Sequence, residues 1–294
     1  MNPRTLRFAV LLGCLAVAVA GFAQFRSGRG RGEGGSGGST TRTAREADQH
    51  SNETPMWTNA PAFKKDVFTF CRVRYSSWGG GRGYGGGRWA TDFPDADLNL
   101  SYRLQQMTSL KVDPDGRVLE IGDPELFNFP WIYMVEPGAL RFTDEEVPIL
   151  RKYLLNGGFL MVDDFWGEDE WDNFHREIKR VFPEREAVEL EMDHPVFHSV
   201  FDIKLKKNEL QCPSIGHVER AMRGGGTWER EDARDVHFKA IFDDKGRIMC
   251  FIAHNTDNGD GWEREGEHEY YFKEFSEKRA YPLGINVVFY AMTH

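Results

Sequence analysis

Apolar residues along this chain come in two alternating styles: short, almost unbroken runs and longer stretches with helical spacing. Asp66–Tyr75 (DVFTFCRVRY) is dense in aromatic and β-branched residues and predicts a strand. Pro94–Leu110 carries Leu98, Tyr102, Leu104 and Met107 among its apolar positions and predicts a helix. Pro130–Val135 (PWIYMV) predicts a short strand. Thr143-Asp144-Glu145-Glu146 forms a capping box that opens a helix with Val147, Leu150, Tyr153 and Leu154 on one face; Asn156-Gly157 closes it. A strand over Phe159–Asp163 and a helix from about Glu168 to Val181 follow. Val236–Phe242 and Arg247–His254 predict two further strands joined by the turn Asp243–Gly246, and Pro282 suits the first turn of a closing helix. Strands apolar at nearly every position, alternating with helices, predict an α/β fold: a mostly parallel sheet with helices on both faces. No internal repeat is visible.

The first 62 residues break this pattern. Arg4 and Arg7 precede an apolar stretch, Phe8–Ala20, and Gly21-Phe22-Ala23 offers a small-residue cleavage site, so residues 1–23 read as a signal peptide. The stretch is short for a bilayer span, which predicts an exported protein, periplasmic or extracellular, with no transmembrane anchor after cleavage. The alternative is a lipoprotein anchored through Cys14, since Leu11-Leu12-Gly13-Cys14 resembles a lipoprotein box. Residues 24–62, rich in Gly, Arg, Ser and Thr, lack large aliphatic residues and read as a disordered linker. The globular domain then spans residues 63–294.

Charge sharpens the division. The chain has a formal charge of −9; residues 1–50 carry seven arginines against Glu33, Glu46 and Asp48, or +4, leaving −13 on residues 51–294. An acidic domain of this kind argues against nucleic acid as its main partner. Cys71 and Cys250 sit in apolar runs and read as core residues, Cys212 lies in a loop-like context, and no Cys/His spacing supports a structural zinc site; one disulfide among the three stays open.

Four stretches carry candidate chemistry. In GGFLMVDDFWG the predicted strand ends on Asp163 and Asp164, at the carboxyl end where open parallel sheets bind ligands. The pair suits a metal site or general acid–base chemistry; equally, one of them suits an acceptor for amides at the next helix start. In Asp193-His194-Pro195-Val196-Phe197-His198, a carboxylate adjoins His194, although an isolated Asp-His-Pro reads first as an ordinary loop. The segment His254–Glu263, with Asn255, Asp257, Asp260 and Trp262, is dense in oxygen donors but lacks the ordered EF-hand spacing, so a solvated acidic loop is the default. The glycine-rich stretch Ser76–Trp89, with Trp78, Arg82, Tyr84 and Arg88, lacks Gly-Lys-Ser/Thr and reads as a lid or binding loop whose aromatic residues suit stacking on a sugar.

Taken together, FTFCRVRY, LRKYLLNGGFLMVDDFWG, DHPVFHSVFDI and HNTDNGDGWE…LGINVVFYAMTH resemble the bacterial family called domain of unknown function 4159, over roughly residues 66–294. The resemblance implies the glutamine amidotransferase-like superfamily, with a flavodoxin-like α/β sandwich; DHPVFHSVFDI is also similar to the ThuA-like branch of that fold. In true glutamine amidotransferases a strand after Gly-Gly leads to a nucleophilic Cys, and that position falls here on Asp164, so the thiolate is missing. The expectation is an exported protein without glutaminase activity, with a non-catalytic binding or scaffolding role in the cell envelope toward an envelope protein or a carbohydrate. The alternative is a carbohydrate-active or metal-assisted hydrolase. In it Asp163, Asp164 and His194 are catalytic and Asp163, Asp164 and Asp257 hold a divalent metal. Asp193, His198, Asn255, Asp260 and Trp262 are further binding candidates.

Overall fold

The computed structural model describes residues 40–50, 53–63, 66–78 and 87–294. The signal peptide, residues 24–39 of the linker, Arg82 and Tyr84 lie outside the described residues. Among the described residues there are nine strands: β1 Cys71–Val73, β2 Ser76–Ser77, β3 Arg117–Leu119, β4 Trp131–Val135, β5 Leu140–Arg141, β6 Phe159–Asp163, β7 Val188–Glu189, β8 His237–Phe242 and β9 Ile248–His254. Seven of them form one sheet in the order β3-β1-β4-β6-β9-β8-β7. The neighbours from β3 to β9 are parallel, and β8 and β7 add an antiparallel flank. Numbered along the chain, the five parallel strands stand in the order 2-1-3-4-5, compatible with a flavodoxin-like fold. The chain leaves β1 for β3 on one side and crosses to β4 on the other, which makes the β1/β4 boundary a switch point.

Alternation along the strands sends side chains to two cores. Trp131, Tyr133, Val135, Phe159 and Met161 pack with the helices α1 (Asp95–Met107) and the C-terminal Tyr281–Thr293. Ile132, Met134, Leu160 and Val162 pack against α2 (Glu146–Leu155) and α3 (Gly167–Val181) on the other face. Burial on both sides is why β4 and β6 are apolar at almost every position. The capping box forms: Thr143 N donates to Glu146 Oε2 at 2.8 Å, and Glu146 N donates to Thr143 Oγ1 at 3.2 Å. Gly157, with φ +104°, ends α2 in the left-handed region. A π-helical segment, Phe272–Ala280, leads into the last helix.

Two expectations change. The described part of the segment expected as linker packs on the domain: Ala44 is fully buried, Val118 N of edge strand β3 donates to Arg42 O at 2.8 Å, and Thr54 Oγ1 donates to Asn99 Oδ1. Sparse aliphatic content hid this, because the anchoring is polar. The acidic stretch expected as a solvated loop is interior: every residue from His254 to Glu263 is buried, and Asn258–Glu263 is a short helix, α4.

Candidate functional site: an acidic crevice at the strand ends

The crevice begins with a buried arginine. Arg72, fully buried on β1, donates from Nε to both carboxylate oxygens of Asp97 (2.9 and 3.0 Å) and from Nη1 to Trp89 O and Thr91 O. Its guanidinium lies over the rings of Phe93 and Tyr133, 5.6 and 5.1 Å from their centroids. Desolvating this ion is costly, and the Asp97 carboxylate and two carbonyls compensate. The arginine thereby fastens the loop that delivers Asp92 to the end of the sheet.

Strain concentrates at the same edge. Among the described residues, four non-glycine residues have positive φ: Asp92 (61°), Glu136 (46°), Asp164 (56°) and Asn255 (62°). The last three directly follow β4, β6 and β9. Asp and Asn tolerate this conformation better than most residues, Glu less so. Such outliers persist where the surroundings over-determine them, commonly at binding sites.

The adjacent acids of β6 have different fates. Asp163 is fully buried and accepts from Asn258 N (2.9 Å), Asn258 Nδ2 (2.7 Å), Gly259 N (3.0 Å) and Tyr133 Oη (3.2 Å). It caps α4, and burial pushes its carboxyl up to about 7 in spite of these hydrogen bonds. Asp164 instead lines a crevice of about 640 Å³, with Trp166 Nε1 donating to its Oδ1 at 2.9 Å. Asp92, Asp257 and Asp260 line the same space. Asp257 Oδ1 accepts from Asp260 N, and Asp260 accepts from Ile215 N and Arg264 Nε.

Carboxylate oxygens of Asp92, Asp164 and Asp257 lie within 4.8 Å of one another, and so do those of Asp92, Asp260 and Glu263. Burial, then the neighbouring acids, push Asp92, Asp164 and Asp257 well above the usual carboxylate range. Burial and Asp260 push Glu263 up to about 8. Asp92 Oδ2 is buried without a hydrogen-bond partner. A Cβ on Gly259 would come within 2.0 Å of that oxygen, so glycine is what lets α4 approach Asp92. At the rim, Arg88 and Arg230 both reach Glu170 Oε1, at 3.3 and 2.6 Å.

The structure thus brings Asp164, Asp257 and Asp260 together, with Asp163 beneath them. Asn255 is a structural brace: its Oδ1 accepts from Gly167 N and its Nδ2 donates to Asp235 O. Trp262 is core, its Nε1 donating to Ala280 O. Asp193, His194 and His198 are not brought to the crevice. His194 accepts from Val196 N and faces Phe242 and Tyr290, at the sheet end where β8 finishes and β9 starts; His198 bridges Asp202 and Met192 O. The local Asp-His adjacency carried no information about which sheet end the loop occupies. In the glycine-rich region Trp89 is buried core, whereas Trp78 is exposed beneath Arg141. Sequence reasoning missed Asp92, Glu136, Glu263 and Arg72. Of these four, only Arg72 left a signal in the sequence, as an arginine in the middle of an apolar strand.

Cys71, Cys212 and Cys250 are buried and unpaired, and burial pushes the Cys212 thiol up to about 12. None of them offers a thiolate to the crevice. Among the described residues no helix is long and apolar enough to cross a membrane. A comparison with curated proteins finds no match. The model of one family, described as "Domain of unknown function (DUF4159)", matches residues 69–292, most of the chain including every crevice residue named above, and the chain belongs to that family.

Proposed function

We propose that this domain binds a hard divalent cation in the crevice, and through it an oxygen-rich ligand such as a carbohydrate. The observation that carries the reading is the triad Asp92, Asp164 and Asp257, oxygens within 4.8 Å, with Asp92 Oδ2 lacking any donor. Buried like charges repel and are poorly solvated, and a cation relieves both costs at once. An all-oxygen donor set suits Mg²⁺, Ca²⁺ or Mn²⁺ rather than a soft metal. Asp164, in a strained turn between a strand and a helix, occupies the position where the amidotransferase-like relationship expects a nucleophile. That supports kinship with that fold and a changed chemistry. Export belongs to the same proposal: Arg4 and Arg7 ahead of the apolar stretch Phe8–Ala20 support a crevice that works in the envelope or outside the cell.

A metal-assisted hydrolase is the second reading, favoured by the open volume beside the triad, which has room for a substrate and a metal-bound water. His194 has no part in it. The test of cation binding is thermal melting of the full chain with excess Mg²⁺, Ca²⁺ or Mn²⁺. At a hundred times the Kd, binding adds about 2.7 kcal/mol of stability, a clear rise in Tm. The rise should vanish in Asp164→Asn. No shift with any of the three cations would overturn the reading.

A further inference from the structure

We propose that the crevice is a two-cation centre in which Asp92 is the bridging carboxylate, an inference that rests on the cation-binding reading above. Asp92 belongs to both oxygen clusters, the one with Asp164 and Asp257 and the one with Asp260 and Glu263. It comes from a different segment than the ligands on either side and is 8% exposed, with Oδ2 unpartnered. A bridging carboxylate needs an oxygen clear of protein donors to take up a cation, and Oδ2 is such an oxygen, with Gly259 leaving room for it. The second subsite is not bare: Arg264 Nε lies 3.1 Å from Asp260 Oδ1 and 2.7 Å from Glu263 Oε2, and Asp260 Oδ2 accepts from Ile215 N. Its cation therefore competes with Arg264, and the subsite is the weaker of the two.

Charge counting favours two ions over one. Seven acids and three arginines line the crevice, and Glu263 adds an eighth acid within reach of Asp92. With every group ionised the excess is five negative charges; one dication leaves three, two leave one. Paired cations about 3.5–4 Å apart and joined by a carboxylate clamp both the attacking and the leaving oxygen of a displacement, so the arrangement suits phosphate or other ester ligands that bridge two metals.

The test is titration of Mn²⁺ into the full chain, followed by calorimetry and by electron paramagnetic resonance. Two equivalents should bind with different affinities, and the second should convert the spectrum of an isolated ion into that of an exchange-coupled pair. Glu263→Gln should reduce binding to one equivalent with an uncoupled spectrum, and Asp92→Asn should abolish coupling and weaken both sites at least about tenfold. A single equivalent in the wild-type protein, or two that never couple, overturns the bridged centre while leaving the cation-binding reading intact. No binding at all removes both. Because the wild-type stoichiometry decides, a variant that fails to fold does not rescue the proposal.

Discussion

At the two ends of one sheet, the same residue types are held in opposite ways. Where β1, β4, β6 and β9 finish, Asp92, Asp164 and Asp257 crowd together, and burial and mutual repulsion push their carboxyls up. Where β8 turns into β9, Asp243 is half-buried, and it accepts from Lys245 N and Arg247 N and pairs with the Arg247 side chain. Burial raises its carboxyl, but those amides and that charge outweigh burial and hold it below the usual range. Arg247 goes on to bind Leu154 O and Gly158 O, so this acid is part of the scaffold. An acid at a strand end becomes a candidate ligand when its partners are other acids.

The comparison breaks first at Arg72. If the crevice end is held open by this buried ion, Arg72→Met strands Asp97 and should cost about 3–5 kcal/mol in urea unfolding. A loss below about 1 kcal/mol would show that Asp97 is neutralised without it and that the Asp92 loop stands on other contacts.

Histidine at the crevice end gives a pH signature of the next size. His254 ends β9, 3% exposed against Phe165 and Trp171, and burial lowers it to about 4 from the ordinary 6.5. The unfolded chain therefore takes up this proton first. The stability from a neutral His254 is complete above about pH 6.5 and is lost as pH falls toward 4. Between pH 8 and pH 5 the loss is about 2 kcal/mol. Unfolding of wild type and His254→Phe at both pH values isolates it, since the variant should lack that part of the decline; parallel curves would mean that the ring finds an acceptor when charged.

The smallest contrast separates neighbours. Asp163→Asn presents an amide to three N–H donors and a hydroxyl and should cost about 1–3 kcal/mol, whether or not a cation is added. Asp164→Asn removes charge from the crowded side and should leave the cation-free protein as stable as wild type or slightly more so. Equal losses in the two variants would reduce Asp164 to a second structural acid.

Much of the scaffold was legible because it is local. Phe159–Asp163 reads as a strand from its apolar run, and Thr143 to Glu146 reads as a cap from four residues. Asp163 and Asp164 were marked correctly as the end of that strand, but one line of sequence offers no way to say which faces the amides of α4. That depends on Asn258 and Gly259, 95 and 96 residues away. Asp92 was invisible for the same reason: its partners are assembled by the order of the strands, and its own segment has no periodicity. The polar run His254–Glu263 misled because density of Asn, Asp and Gly signals solvent only when no buried acid supplies the acceptors.

The contact between Arg42 O and Val118 N bears on how the protein keeps company with its own copies. β3 is the outermost strand on its side of the sheet, and an unpaired outer strand is a template on which another chain extends the ladder. With Arg42 O accepting from Val118 N, the residues ahead of the family-matched region occupy part of that template in advance. Trimming the chain at a boundary chosen for the family match alone, near residue 69, would therefore yield a protein whose folded core is intact in outline but whose side is adhesive, prone to pair edge to edge as its concentration rises.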